Sequence, residues 1–364
     1  MRGEAIFSVC RIYSFGGIGV KRFVPYLICV AAGLLLAAFP AEASTGVIEG
    51  LRLCGSRVIP ALFPFFILSK FLIASLPALP SSRVMCLFGV SPRCFSALFV
   101  SFLGGYPLGA ATLVSLYEQG QIEREDARRA VRFCNNSGPA FFLGMIGSVL
   151  GDIRAGLILY LIHCVSALLV GLTLAEPYAR RTCKIQKAPT KAEETATECF
   201  LRSVADSSAA LLQISALVIV FSVVKCLLGT LLPIDRLSSS GKALALGCLE
   251  LTSGVAILPV GAYAFVIGAF LMGWGGLCVH MQTLALCAPL GVRSVFLPKL
   301  LHGIFSAALA LLYLRRDAAS LIYAAALLGV CVLFSQIRRK GWTFTATLRY
   351  NNIRGERKCC FEKK

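Results

Sequence analysis

The stretch FCNNSGPAFFLGMIG, residues 133–147, places two amides (Asn135, Asn136), a hydroxyl (Ser137), Gly138 and Pro139 directly before an apolar run. These residue types bind rather than cut. Pro139 suits the first turn of a helix, with Ser137 or Gly138 as its cap. A helix beginning here turns its free N–H groups and positive dipole end toward whatever lies ahead of it, which is a ready site for an anion. The plainer alternative is a capping turn at a surface. A second interruption, FLGGYPLGA, contains Gly104, Gly105, Pro107 and Gly109, which cannot all lie in a regular helix without weakening it. It predicts a hairpin or broken helix with Tyr106 near the tip, or else a kinked helix packed closely through its glycines.

The later part of the chain holds a comparable set. Glu250 is the only acid between Arg236 and Arg316, and it stands beside Thr252 and Ser253 in GCLELTSGV. An ionisable residue inside an apolar segment is a functional candidate, here for a coupling H+ or Na+ or for accepting hydrogen bonds from a solute. In a shallow segment it would only cap a surface helix. Gly275 and Gly276 break the segment MGWGG, and His280 and Gln282 follow on different helical faces. A lone histidine in such a segment more often bonds a neighbouring helix than a ligand. His163 and His302 each follow an arginine (Arg154, Arg293) by nine residues, which is opposite faces at 3.6 residues per turn, so arginine and histidine share no site. Both histidines read as structural.

The elements that must position these residues are apolar helices. The 364 residues are 57% hydrophobic and only 15% charged, against roughly half and a quarter in a soluble domain. This predicts an all-α polytopic membrane protein. In hydrocarbon an unpaired polar group costs several kcal/mol, so irregular backbone survives only where protein or a wet cavity surrounds it. Apolar segments recur from residue 23 to 337. The runs 140–150, 262–272 and 277–290 are too short to cross about 30 Å of hydrocarbon as helices, and predict half or re-entrant helices. The first run, 23–39, ends near an Ala-x-Ala pattern like that of a cleavable signal; a retained first helix is the favoured reading.

The formal net charge of +18 does not indicate nucleic acid, because the basic residues gather in the loop ARRTCKIQKAPTK and in the tail beyond residue 337. Such clusters mark cytoplasmic loops and attraction to anionic membrane lipids. The charged stretch YEQGQIEREDARRAVRFC fits a short amphipathic connector, acidic at its start and basic at its end. Sixteen scattered cysteines without a C-x-x-C spacing indicate neither a metal nor a disulfide framework. No G-x-S-x-G, H-E-x-x-H or Walker motif occurs, so neither an enzyme nor a cofactor is expected.

A weak internal repeat relates the halves: IRAGLILYLIHCVSALLVGLTL resembles VRSVFLPKLLHGIFSAALALLYL, GGYPLGAATL stands where LELTSGVAIL does, and NNSGPAFFLGMIG where GWGGLCVHMQTLA does. Chance likeness among Leu- and Ala-rich helices is the alternative. Paired short, Gly- or Pro-interrupted segments at corresponding positions point to a transporter's binding site.

The motifs GGYPLGA and CNNSGP, with LELTSGVAIL and GWGGLCVHMQ, resemble the family known as sporulation integral membrane protein YlbJ, within the wider nucleoside-recognition or Gate-domain membrane proteins. The likeness runs from about residue 47 to 314. It implies two repeated halves with re-entrant or broken helical hairpins, related to concentrative nucleoside transporters: a first Gate-like repeat (46–178) and a second (199–316), on either side of the basic loop (179–198). Hydropathy and charge, not the resemblance, add a first helix (1–45), a final helix (317–337) and a basic tail (338–364). It also implies a bacterial cell, spore or forespore membrane and a role in endospore formation. The expected activity is secondary transport of a small polar or anionic solute, dipicolinate-like or nucleoside-like, by a monomer or homo-oligomer. The alternative is a non-transporting protein that binds partners in a spore-forming assembly. The expected solute site comprises Gly104, Gly105, Tyr106, Pro107, Asn135, Asn136, Ser137, Gly138, Thr252, Ser253, Gly275, Gly276, His280 and Gln282, with Glu250 for the coupling ion.

Overall fold

A computed structural model describes residues 23–75, 81–176, 195–315 and 329. Residues 179–194 of the expected basic loop, the expected final helix and the tail lie outside this range, apart from residue 329. The described residues form helices and turns without strands. Four helices among them are long and apolar enough to cross a membrane: Ile153–Thr173, Ala196–Leu231, Ala262–Leu286 and Phe296–Arg315. A fifth passage arises if Tyr26–Ala38 and Pro40–Ser56, which meet at 99°, count as one.

The chain begins with α1 (Val24–Ala38) and α2 (Pro40–Leu53), then passes through a π-helical turn at Cys54–Val58 into α3 (Ile59–Ser75). Gly46 and Gly50 let α2 lie directly on α9 (Ala196–Leu231): a methyl on either would come within 2.5–2.7 Å of the backbone of Val223 or Ile219. Small residues four apart allow such close approach between helices in lipid, where packing rather than water exclusion drives association. The 36 residues of α9 begin at a capping box, Thr195 with Glu198, and extend about 54 Å, well beyond the hydrocarbon thickness.

Three hairpins follow from three glycine contacts. Helices α4 (Phe95–Gly104) and α5 (Leu108–Glu118) flank Gly105–Tyr106–Pro107, with a cis Tyr106–Pro107 bond. A methyl on Gly109 would sit 2.7 Å from the Ser101 Cβ and 1.6 Å from the Cys134 carbonyl oxygen, so the chain doubles back at this break. The hairpin reading of GGYP holds, and the kinked continuous helix does not. Helix α7 (Pro139–Leu150), with a π turn at Phe142–Ile146, folds back on α8 (Ile153–Thr173), where a methyl on Gly156 would meet the Phe142 carbonyl oxygen at 2.5 Å. The apolar run over 242–258 divides at Glu250 into α10 (Ser239–Leu249) and α11 (Leu251–Ala256); a methyl on Gly254 would lie 2.2 Å from the Gly247 Cα.

One expectation is corrected. The runs 262–272 and 277–290 are not separate half-passages: α12 (Ala262–Trp274) and α13 (Gly276–Leu286) are interrupted only at Gly275 and together make one 25-residue apolar passage. Positive φ at Gly275 (81°) and Gly276 (78°) lets the ladder break without ending the direction of travel. Helix α14 (Phe296–Arg315) packs antiparallel to α12, Phe265 beside Tyr313 at one end and Gly273 against Gly303 toward the other.

The charged connector forms α6 (Arg124–Ala130), acidic in its first turn and basic in its last, as the dipole favours. Glu176, just beyond α8, holds it by ion pairs of 3.0 Å each to Arg129 and Arg132. Burial, then the neighbouring Glu123 carboxylate, pushes the Asp126 carboxyl up to about 6, with Arg129 and a Ser91 backbone hydrogen bond opposing.

Two outcomes are expected. Gly105, at φ 84° with a would-be methyl 2.7 Å from the Gly138 nitrogen, tolerates no side chain, whereas Gly144 has nothing within 4 Å of its own. Gly105→Ala should therefore lower the melting temperature of the purified protein, by strain of about 1–3 kcal/mol plus the clash, while Gly144→Ala does not lower it; equal melting would refute the tip-to-tip packing. A carboxyl whose folded value lies above its unfolded value of about 3.9 costs stability once ionised, so the fold weakens as pH rises between about 4 and 6. Asp126→Asn should remove that slope and melt no lower than the parent at pH 7. An unchanged slope would show that Asp126 is not responsible.

Candidate functional site

The tips of the first two breaks touch. A methyl on Gly138 would lie 2.9 Å from the Gly105 nitrogen, so the backbones of GGYP and NNSGP are in contact with no side chain between them. Tyr106 reaches from this junction to the second-half break, donating its hydroxyl hydrogen to the Met272 carbonyl at 3.1 Å. The position of a methyl on Gly275 lies 3.2 Å from the same hydroxyl oxygen. One phenol thus joins three of the expected breaks.

At their junction sits a residue absent from the expected site. Lys299, in the first turn of α14, is 3% exposed; its ammonium donates to the Tyr106 hydroxyl at 3.3 Å and to the Asn135 carbonyl, and lies 4.6 Å from the Tyr106 ring centre. No carboxylate among the described residues pairs with it. An ammonium taken from water without a counter-charge is costly, because two neutral oxygens and a ring face replace only part of its hydration. A signal for it existed in the sequence: a single cationic residue within the apolar run 295–314.

The asparagines are anchored by their amide nitrogens and leave their oxygens unused. Asn135 Nδ2 donates to Thr283 Oγ1 at 2.7 Å, whose own hydrogen goes to the Val279 carbonyl at 2.7 Å. Asn136 Nδ2 donates to Phe133 O at 2.8 Å and Ser101 Oγ at 3.1 Å. Both amide orientations are therefore fixed by groups that can only accept there. The two Oδ1 atoms are buried without a protein partner. The Ser137 N–H donates to His163 Nε2 at 3.1 Å, which places the His163 proton on Nδ1, also buried and unpartnered.

The histidines read as structural hold this loop. His163 stacks on His302, ring centres 4.3 Å apart, and His302 Nε2 donates to the His163 carbonyl at 3.0 Å. They lie on α8 and α14, one in each half, and together brace the NNSGP loop. Thr283, Ser101 and His163 carry no charge or motif that marks them in a sequence, since only the fold brings them to Asn135, Asn136 and Ser137.

The rest of the expected set divides. A methyl on Gly276 would meet the Leu251 nitrogen at 3.0 Å, which joins the α12–α13 break to the Glu250 turn. Glu250 is 4% exposed, and its two oxygens accept from the Thr252 and Ser253 N–H groups at 2.9 and 2.7 Å. It is a cap, as the plainer reading held, but a buried one. The Thr252 and Ser253 side chains line a separate cleft of about 610 Å³ with Arg52, Lys225 and Lys242, away from Lys299. His280 Nε2 donates to the Trp274 carbonyl at 2.9 Å, and Gln282 Nε2 to Cys278 Sγ at 3.3 Å. Both are bonded to α12–α13 itself. The compact centre is thus Gly105, Tyr106, Asn135, Asn136, Ser137 and Gly138 with Lys299; Gly104 and Pro107 shape its hairpin and Gly275 its edge.

Such a centre is made of charged and hydrogen-bonding groups. It presents a cation, an N–H donor and two amide oxygens inside an apolar body, and partners for all four must come from a solute or from water.

No protein-family model matches the chain, and no solved structure does either. Among characterised proteins it is 27% identical over 307 aligned residues to the sporulation integral membrane protein YlbJ of Bacillus subtilis, an alignment covering 72% of this chain and 75% of that protein. The aligned length and the apolar helical passages agree in kind with that relative. The chain is an integral membrane protein, and over most of its length it is similar to the sporulation integral membrane protein YlbJ.

Proposed function

We propose that the protein is a secondary transporter of a small polar or anionic solute, acting in endospore formation as the name of its Bacillus relative suggests. The observation that carries the reading is Lys299: a buried ammonium without a carboxylate partner among the described residues, held where glycine-rich breaks from the first and second parts of the chain converge. A membrane protein retains such a charge where function uses it. An anionic group on the solute supplies the missing counter-charge, and the Asn135 and Asn136 oxygens favour a solute that also brings hydrogen-bond donors. A dicarboxylate carrying one proton, or a nucleoside-like molecule with an acidic group, has both.

The repeat gains support from matched details. Gly109 and Gly254 align in GGYPLG and LELTSG, and each presses against the helix before its own break. His163 and His302, aligned in the later segments, stack on each other. Two related halves meeting at a polar centre is the architecture in which one half moves against the other around a fixed site. Glu250 remains the proposed coupling group. To take H+ or Na+, its carboxylate must loosen the Thr252 and Ser253 N–H bonds, which links ion binding to the position of α11.

The experiment is uptake of radiolabelled pyridine-2,6-dicarboxylate and of uridine into vesicles reconstituted with the purified protein. One of the two should enter. If it is the dicarboxylate, Lys299→Gln should lower uptake at subsaturating concentration roughly tenfold to a hundredfold, the worth of a charge-assisted hydrogen bond of about 1.5–3 kcal/mol. Asn136→Ala should lower it less, and Glu250→Gln should abolish its dependence on an ion gradient. Folded protein that moves neither solute, or a Lys299→Gln variant with parental uptake, would overturn the proposal in favour of a partner-binding role.

A further inference from the structure

A second cationic feature lies one turn from the Lys299 centre, on the surface. The end of α6, the connector before α14 and the end of α8 enclose a cleft of about 360 Å³ lined by Arg128, Arg132, Arg293, Ser294, Val131 and Pro298 among others. Its three arginines come from separated stretches of chain. Arg128 is held near Glu125 at 3.8 Å and Arg132 by Glu176 at 3.0 Å, which fixes them without using all their donors. Arg293 is exposed and has no carboxylate partner among the described residues. Among the residues that line the cleft three are arginines and one, Glu125, is a carboxylate, so positive charge is in excess there.

The chain segments that line the cleft run on into the buried centre: Pro298 immediately precedes Lys299, and Arg132 stands three residues before Asn135. The two clefts lie toward opposite ends of the α12–α14 pair. Pro298 is at the start of α14, while the Thr252–Ser253 cleft adjoins Ile257, just before α12, and α12 runs antiparallel to α14.

We infer that the cleft of Arg128, Arg132 and Arg293 is an anion-binding mouth, which takes a small soluble carboxylate or phosphate from one face of the membrane before it reaches Lys299. The mouth rests on the transport reading for its purpose but not for its binding. A planar guanidinium fork matches a carboxylate or phosphate, and a concave cationic surface raises local anion concentration and capture rate in a salt-dependent manner. The same chemistry would accept the phosphate of an anionic lipid headgroup, and the test separates the two.

Two measurements are needed, both on the full chain. In the first, phenylglyoxal modification of Arg293 is followed by mass spectrometry in nanodiscs of phosphatidylcholine alone. Millimolar pyridine-2,6-dicarboxylate or inorganic phosphate should slow the reaction at least about threefold at low salt and lose its effect by about 0.5 M KCl, where the screening length falls to a few ångströms. The protection should persist in Lys299→Gln, so it stands whether or not transport does. In the second, Arg293→Gln should raise the half-saturating solute concentration about three- to tenfold from the cleft face, with maximal rate and the opposite face unchanged. No protection by either anion, or protection that appears only when phosphatidylglycerol replaces phosphatidylcholine, would overturn the inference, the latter by making the cleft a lipid site. An Arg293→Gln effect equal from both faces would also overturn it.

Discussion

The Lys299 ammonium, wedged between the Tyr106 hydroxyl and the Asn135 carbonyl, is the contact on which the interior depends. A cation in an apolar body must be offset by oriented dipoles or by a bound anion, and among the described residues two oxygens hydrogen-bond to it. Each comes from a backbone break, one at GGYP and one at NNSGP. A regular helix uses its carbonyls internally and cannot offer one sideways, so the NNSGP break is what frees the Asn135 carbonyl for the ammonium, while the GGYP break positions the Tyr106 side-chain hydroxyl.

The glycines serve that end. Gly105 and Gly138 let two hairpin tips touch through backbone atoms, and Gly109 seats α5 against Cys134. On the other side Gly247 and Gly254 close the Glu250 hairpin, whose carboxylate caps α11 from within. Gly275 breaks α12–α13 beside the Tyr106 hydroxyl, and its positive φ lets the passage continue. The histidine stack of His163 and His302 then ties the NNSGP loop to both long helices of the centre. Tip contacts, caps and stack together fix the groups that face the charge while leaving the Asn135 and Asn136 oxygens unspent.

Much of this frame was legible in the sequence because Gly, Pro and Asn inside apolar runs have few structural explanations. GGYPLGA, CNNSGP and GWGG each mark a real break, and Tyr106 does stand at a tip, whereas the break at LELTSG did not show in an apolar run. What spacing could not show was partnership across the chain. Lys299 and Asn135 are 164 positions apart, and Asn135 and Thr283 are 148 apart, so neither contact leaves a local pattern. The short segments 262–272 and 277–290 misled for a related reason: two consecutive glycines with positive φ, Gly275 and Gly276, interrupt a helix in sequence terms without halting it in space. Glu250 stood out by its isolation, yet its burial and its capping bonds could not both be foreseen from one position.

An ammonium, two asparagine oxygens and an imidazole N–H enclosed in a helical membrane body leave a defined set of unmet partners, and the account stands on a solute meeting them. The most direct measurement is a cryo-electron microscopy structure of the protein in lipid nanodiscs with pyridine-2,6-dicarboxylate present. The account predicts a carboxylate within about 3 Å of the Lys299 nitrogen, the distance of a charge-assisted hydrogen bond, with Tyr106 and Asn135 around it. Density for the dicarboxylate elsewhere in the helical body, with Lys299 paired to an acidic side chain of the protein itself, would contradict it.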